Sequence, residues 1–199
     1  MKKLITLILL LSFTIKAQDV KIGTQTWTSK NLDVTKYRNG DAIPQVQDKN
    51  AWAKLKTGAW CYYENNTANG TTYGKLYNWF AVNDTRGLAP KGYHIPTDAE
   101  WTILTDNLGE EAGTKMKSTS GWDNNGNGTN TSGFAGLPGG CRNYDGNFAN
   151  FGANGYWWSS SEGNTNTALS RTLDYYYDGN VLSSNDDKQD GFSVRCLRD

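Results

Sequence analysis

Residues 96–101 read PTDAEW, and that stretch constrains the chain more than any other. Thr97 stands three residues ahead of Glu100, the spacing at which a hydroxyl and a carboxylate each take a backbone N–H left open at a helix start. Pro96 discourages an earlier start, Trp101, Leu104 and Leu108 follow on one face, and Gly109 supplies a stop. A helix over 98–108 is therefore predicted with both ends set. Beyond it the helical spacing gives way to a Gly/Asn-rich stretch with isolated aromatics (120–148) and then to alternating runs near 154–162 and 169–185. Asp178-Gly179-Asn180 sits between two of those runs as a hairpin turn, and the closing GFSVRCLRD reads as a strand.

Upstream, the stretch from Val20 to Val34 alternates as a hairpin turning at Gly23-Thr24, and Asp48 to Lys56 is predicted as a short helix ended by Gly58. AWCYYENN (59–66) reads as a strand entering a loop. Tyr73, Leu76, Tyr77 and Phe80 recur at i, i+3, i+4 and i+7, which predicts a long helix over 71–84. Helices in the first half and strands in the second define an α+β class.

A core for such a chain has to come from its aromatics. Aliphatic runs are few, whereas 8 Trp and 11 Tyr are spread among 22 Gly and many Asn, so short strands and long ordered loops are expected. The exception is the N-terminal segment MKKLITLILLLSFTIKA, whose charged head, short apolar run and small residue at Ala17 are the anatomy of a secretory signal peptide over 1–17. Its removal takes Lys2, Lys3 and Lys16 from a balanced 20 basic and 20 acidic residues. The remaining 18–199, read as one domain, is mildly acidic, which argues against nucleic acid as a partner, and the apolar run removed with the signal peptide is too short to span a bilayer, so no stable membrane insertion is expected after cleavage. Secretion to an extracytoplasmic place, periplasm or cell surface, is the corresponding expectation.

The ordered series GTQTWTSKNLDV, GAWCYYEN, YGKLYNWFAV, RGLAPKGYHIPTDAEW, SGFAGLPGG, GYWWSSSE and GFSVRCLRD closely resembles the Fibrobacter succinogenes major paralogous domain of exported bacterial proteins, over about residues 20–199. That family in turn looks like a branch of the C-type-lectin-like fold used by the formylglycine-generating enzyme group. The resemblance implies two helices, a twisted antiparallel sheet and a long excursion of ordered loops. It implies no established molecular function.

Cys61 and Cys196 lie in the family-like strands CYYEN and SVRC, so the resemblance favours a disulfide between them, with Cys141–Cys196 the competing pair. The closely spaced C-terminal cysteines of the formylglycine-generating enzymes have no counterpart, since Cys141 and Cys196 lie far apart in sequence. His94, the one histidine, has no Ser-centred nucleophile motif and is read as packing ahead of the helix cap. No catalytic residue is assigned, and the chain is read as a non-enzyme.

Two ligand chemistries remain. Asp123, Asn125 and Asn127 alternate ahead of Gly128 as at the start of an EF-hand loop, but the twelfth position is Phe134 and no helices flank the stretch. A weak structural calcium site and a plain Asn-Gly turn are the two readings, and no other cofactor is expected. Sugar rings stack on aromatic faces while amides and carboxylates bind their hydroxyls. Trp122, Tyr144, Tyr156, Trp158, Tyr175 and Tyr177 stand among Asn, Asp and Gly and are the candidate ligand-binding residues. The sequence thus reads as an exported, non-catalytic binding module for a polysaccharide or a cell-surface protein, using loops near 120–150 and 160–190. The alternatives are an enzyme or degenerate relative of the formylglycine-generating group, drawing a carboxylate pair from Glu64, Glu100, Asp123, Glu162 and Asp174, and a structural protein of the cell surface.

Overall fold

The computed structural model describes residues 19–176 and 179–199. The signal peptide expected at 1–17, as well as Tyr177 and Asp178, lie outside the described residues. The chain begins with β1 (Asp19–Ile22) and β2 (Gln25–Thr28), whose register pairs Ile22 with Gln25 and leaves Gly23-Thr24 as the turn. Helix α1 (Lys49–Trp52) follows, its start held by Asp48 Oδ1, which accepts from Ala51 N–H at 2.8 Å. This helix stops at Trp52, well short of Gly58. Next come β3 (Trp60–Cys61), α2 (Thr67–Tyr73), β4 (Leu76–Tyr77), α3 (Trp79–Val82), β5 (Tyr93–His94), α4 (Asp98–Leu108) and α5 (Ala112–Met116). The second half holds β6 (Gly139–Arg142), β7 (Phe148–Phe151), β8 (Asn154–Glu162), β9 (Thr167–Asp174), β10 (Leu182–Asp187) and β11 (Leu197–Arg198).

Helix α4 spans the predicted residues, with the Thr97–Glu100 box formed in both directions and Gly109 at its end. The long helix expected over 71–84 does not form. Gly74, at φ 75 and ψ −156, has a backbone open to few residues but glycine, and it ends α2. Leu76 and Tyr77 then pair as a strand with Cys61 and Trp60, and Tyr77 also exchanges two backbone hydrogen bonds with Phe192. Asn78 starts α3 afresh by accepting from Ala81 N–H. The helix-like spacing of Tyr73, Leu76, Tyr77 and Phe80 is therefore spread over two short helices and a strand, because long-range pairing outweighs local periodicity.

Three sheets organise the domain: a four-stranded sheet in the order β1-β2-β11-β5, a five-stranded sheet in the order β10-β9-β8-β6-β7, and the pair β3-β4. Most pairings are antiparallel, and the short final strand β11 lies inside its sheet, between β2 and β5. Among the described residues α4 is the one helix longer than seven residues, and the other four α-helices have seven or fewer, so the class is α+β with little helix.

All eight tryptophans are buried, and this decides their role. Trp27 packs against Trp101 with ring centroids 4.7 Å apart, and Phe134 contacts both of them and Trp157 edge-on. The indole N–H groups of the others are satisfied inside: Trp60 donates to Ile43 O, Trp79 to Ser159 O and Trp158 to Tyr77 O. Trp101 Nε1 alone among the buried indoles finds no acceptor. Burial of the large rings supplies the apolar area that the few aliphatic side chains cannot. Arg142 is buried too, its guanidinium 4.5 Å from the Trp52 ring and 4.8 Å from the Phe148 ring while it donates to Gly146, Val46 and Gln47 carbonyls.

The expected Cys61–Cys196 bridge is not formed. All three cysteines are free and buried; Cys61 packs with Trp52, Ala59, Tyr63 and Leu76, whereas Cys196 and Cys141 belong to a different core cluster. Strand membership in the resembled family gave no measure of how the two side chains approach one another, which is what a disulfide requires.

Candidate functional site

The aromatic residues singled out from sequence divide sharply once folded. Trp122 and Trp158 are interior, at 5% and 0% exposure, and cannot offer a face to a ligand. Trp158 failed the expectation because β8 is covered on both sides: Trp158 packs in one core cluster with Phe192, and its neighbour Trp157 packs in another. Tyr156 is half-buried, stacked on Phe192 at 4.9 Å, with its hydroxyl accepting from Asn150 Nδ2. Tyr144 is exposed, in the turn between β6 and β7. Tyr177 lies outside the described residues.

What the fold does bring together is the Asn-rich turn after Trp122 and the end of β9. Trp122 anchors the turn: its ring N–H donates to Ser118 Oγ at 3.0 Å and its backbone N–H to Asn127 Oδ1 at 3.1 Å. Asp123 N–H reaches across to Gly152 O. The backbone then passes through the left-handed region at Asn124 and Asn125, φ 50 and 62, a conformation that asparagine tolerates better than most residues. Gly126 closes the turn against Tyr175, where any Cβ would stand 2.5 Å from Tyr175 O. This contact admits only glycine.

On the opposite side β9 ends at Asp174, whose carboxylate accepts from Asn154 Nδ2 at 2.7 Å and from Tyr176 N–H at 2.6 Å. Tyr175 N–H donates to Ala153 O, and its ring rests partly buried against the second core cluster. Tyr176 is 72% exposed, and the two tyrosine rings stand 6.3 Å apart at 70°. Asn124, Asn125, Gly126, Tyr175 and Tyr176 together line an open cleft of about 520 Å³. Among the described residues its lining carries amides and phenol rings but no carboxylate. Tyr176 was not foreseen as the outward ring. Strand alternation put Tyr175 and Tyr177 on one face, but the strand ends before either, so alternation no longer governs.

The remaining candidates have other partners. Asn127 Oδ1 is held by Trp122 N–H, so the Asp123, Asn125 and Asn127 alternation serves the turn at that position; among the described residues no group of three or more His, Cys, Asp or Glu is placed to hold a metal ion. Glu100 belongs to the cap and Glu162 pairs with Lys188. Burial, reinforced by Asp186 nearby, pushes the Asp190 carboxyl up to about 7, and burial also raises Asp186. Neither lines the cleft. Burial likewise pushes all three thiols up to about 12, which keeps them protonated and unreactive.

His94 stands between two carboxylates. Its Nε2 lies 2.9 Å from Glu100 Oε1 and its Nδ1 2.8 Å from Asp199 Oδ1, so it joins the helix cap to Asp199 beyond β11.

A mostly antiparallel α+β domain with a buried tryptophan core and an aromatic and amide cleft is the class that fold and site define. The chain belongs to the Fibrobacter succinogenes major domain family, whose model matches residues 20–198. Neither the curated proteins nor the solved structures gave a match. Among the described residues no helix is long and apolar enough to cross a membrane.

Proposed function

We propose that the protein is an exported, non-catalytic binding module that contacts a glycan through the cleft formed by Asn124, Asn125, Tyr175 and Tyr176, on a C-type-lectin-like fold and in an extracytoplasmic location. The observation that carries the reading is the exposed Tyr176 ring, which lines an open cleft together with Tyr175, Asn124 and Asn125. An aromatic face takes the apolar C–H side of a sugar ring, and amides supply both donors and acceptors for its hydroxyls. The turn is held by backbone contacts to Gly152 and by the buried Trp122, so the cleft is built before ligand arrives, which lowers the entropic cost of binding. The non-catalytic reading goes with the same lining, which among the described residues carries no acid and base pair for a bound glycosidic bond.

The test is retention of the purified protein on a panel of soluble and insoluble polysaccharides, with calcium and with chelator. Selective retention is expected, weakened by Tyr176→Ala by about 2 kcal/mol, the scale of a central aromatic contact. Loss with chelator would add calcium at the Asp123 turn to the reading. Retention on no glycan, or retention indifferent to Tyr176→Ala, would overturn it in favour of a protein partner.

A further inference from the structure

Arg195 is 1% exposed, and among the described residues no carboxylate pairs with it. Its Nε donates to Asn31 Oδ1 at 2.7 Å, Nη1 to Thr28 O and Phe134 O at 2.8 Å each, and Nη2 to Ala135 O at 3.2 Å. Those bonds use four of the five N–H groups of a guanidinium, leaving one on Nη2 with no acceptor among the described residues. The Phe134 ring lies 4.4 Å from Cζ and covers one face. Burial without a counter-ion pulls the Arg195 pKa down to about 9.

Arg195 is also part of the wall of a cavity of about 440 Å³, within the size range of small-molecule sites. The same wall carries Ser29, Lys30, Asn31, Thr71 and Thr72. Within the described residues the hydroxyls of Ser29, Thr71 and Thr72 make no hydrogen bond, and the exposed Lys30 makes no ion pair. One carboxylate, Asp33, also borders the cavity, but Lys75 already neutralises it. Two uncompensated cations and three unengaged hydroxyls therefore converge on a space that none of the residues of the Tyr176 cleft lines.

We infer that this cavity binds a small sugar acid, with its carboxylate on Arg195 Nη2 and Lys30 and its hydroxyl groups on Ser29, Thr71 and Thr72. A carboxylate supplies the missing acceptor and the missing negative charge together, a charge-assisted contact stronger than a neutral one. The polyol part explains why hydroxyl side chains, rather than further cations, complete the wall. Asn31 keeps the guanidinium in place from behind, since its Oδ1 accepts from both Arg195 Nε and Trp157 Nε1 while its Nδ2 donates to Tyr73 O and Ser193 Oγ.

Isothermal titration of the purified protein with sodium glucuronate, glucose and sodium sulfate tests the inference. Saturable binding of glucuronate is expected, with none for glucose and much weaker binding for sulfate. Lys30→Gln, an exposed change that leaves the core intact, should weaken glucuronate at least about tenfold, the scale of one charge-assisted hydrogen bond, and Thr72→Val should weaken it as well. Tyr176→Ala should leave it unchanged, which separates this site from the cleft. A crystal soaked in glucuronate should show the carboxylate within hydrogen-bond distance of Arg195 Nη2. No binding of any anion, equal binding of sulfate, or binding indifferent to Lys30→Gln would overturn the inference and leave Arg195 a structural cation held by carbonyls.

Discussion

His94 Nε2 and Glu100 Oε1 lie 2.9 Å apart, and the other oxygen of the same carboxylate accepts from both Thr97 N–H and Thr97 Oγ1. One acidic side chain thus closes the cap of α4 and holds the imidazole. Desolvation alone would lower the His94 pKa, but the hydrogen bonds its ring donates to Asp199 and Glu100 outweigh it and the net shift is upward. Glu100 is moved the other way: desolvation opposes ionisation, and the Thr97 and His94 contacts overcome it.

The sign of the pH effect follows. A histidine whose folded pKa exceeds its ordinary 6.5 contributes stability that is complete below 6.5 and is lost as pH rises through the folded value. Glu100, lowered from 4.5, contributes stability that is complete above 4.5 and is lost as pH falls through its folded value. The pair therefore contributes most between those two ordinary values. Thermal unfolding should show His94→Gln clearly below the parent protein at pH 5.5, with the gap narrowing at pH 8.5; an equal gap at both would mean that the imidazole acts by packing alone.

Asp190 gives a second pH effect, separable by mutation. Its folded pKa of about 7 stands above the ordinary 3.8, so the folded state holds a proton that the unfolded chain has released. Stability then falls as pH rises from 3.8 to about 7. Denaturant unfolding of Asp190→Asn at pH 5 and pH 8 should show a flatter dependence than the parent, and a gain in stability at the higher pH.

The two cap asparagine and threonine side chains should differ in cost. Asn78 is fully buried, accepts from Ala59 and Ala81 N–H and donates to Thr57 O, so Asn78→Ala strands several buried groups and should cost about 3 kcal/mol or more. Thr97 is at an exposed helix start, and Thr97→Ala should cost about 1 kcal/mol. Urea unfolding of both variants measures the difference, and similar losses would contradict the burial assigned to Asn78.

Large aromatics should separate by exposure rather than by type. Trp158→Ala empties a fully buried, hydrogen-bonded site and should cost about 3–5 kcal/mol. Tyr144→Ala, at 58% exposure, should stay within about 0.5 kcal/mol. Chemical denaturation distinguishes these cases without reference to any ligand.

Thiol chemistry checks the cysteine arrangement. With Cys61, Cys141 and Cys196 all free and buried, a thiol reagent should find none reactive in the folded protein and three once it is unfolded without reductant. A single reactive thiol in denaturant would establish a disulfide between two of them.

The sequence alone determined what rests on neighbouring residues. The Gly23-Thr24 hairpin and the α4 helix with its Thr97–Glu100 box and Gly109 stop depend on contacts a few residues apart, the need for an aromatic core depends on composition alone, and each is present in the fold. The ordered motifs also placed the chain in its family. Tertiary structure decided the rest, because partners distant in sequence compete with local preference and leave no local trace. Phe192 pairing with Tyr77 converted a predicted helix into a strand, and two-sided covering of β8 buried Trp158. Tyr176 meets Asn124 and Asn125 only because β9 ends beside the turn that Trp122 anchors, and Arg195 becomes a cavity cation only because four acceptors from separate segments enclose it. Burial and exposure of a given side chain are properties of the assembled chain, and the linings of the cleft and of the cavity follow from them.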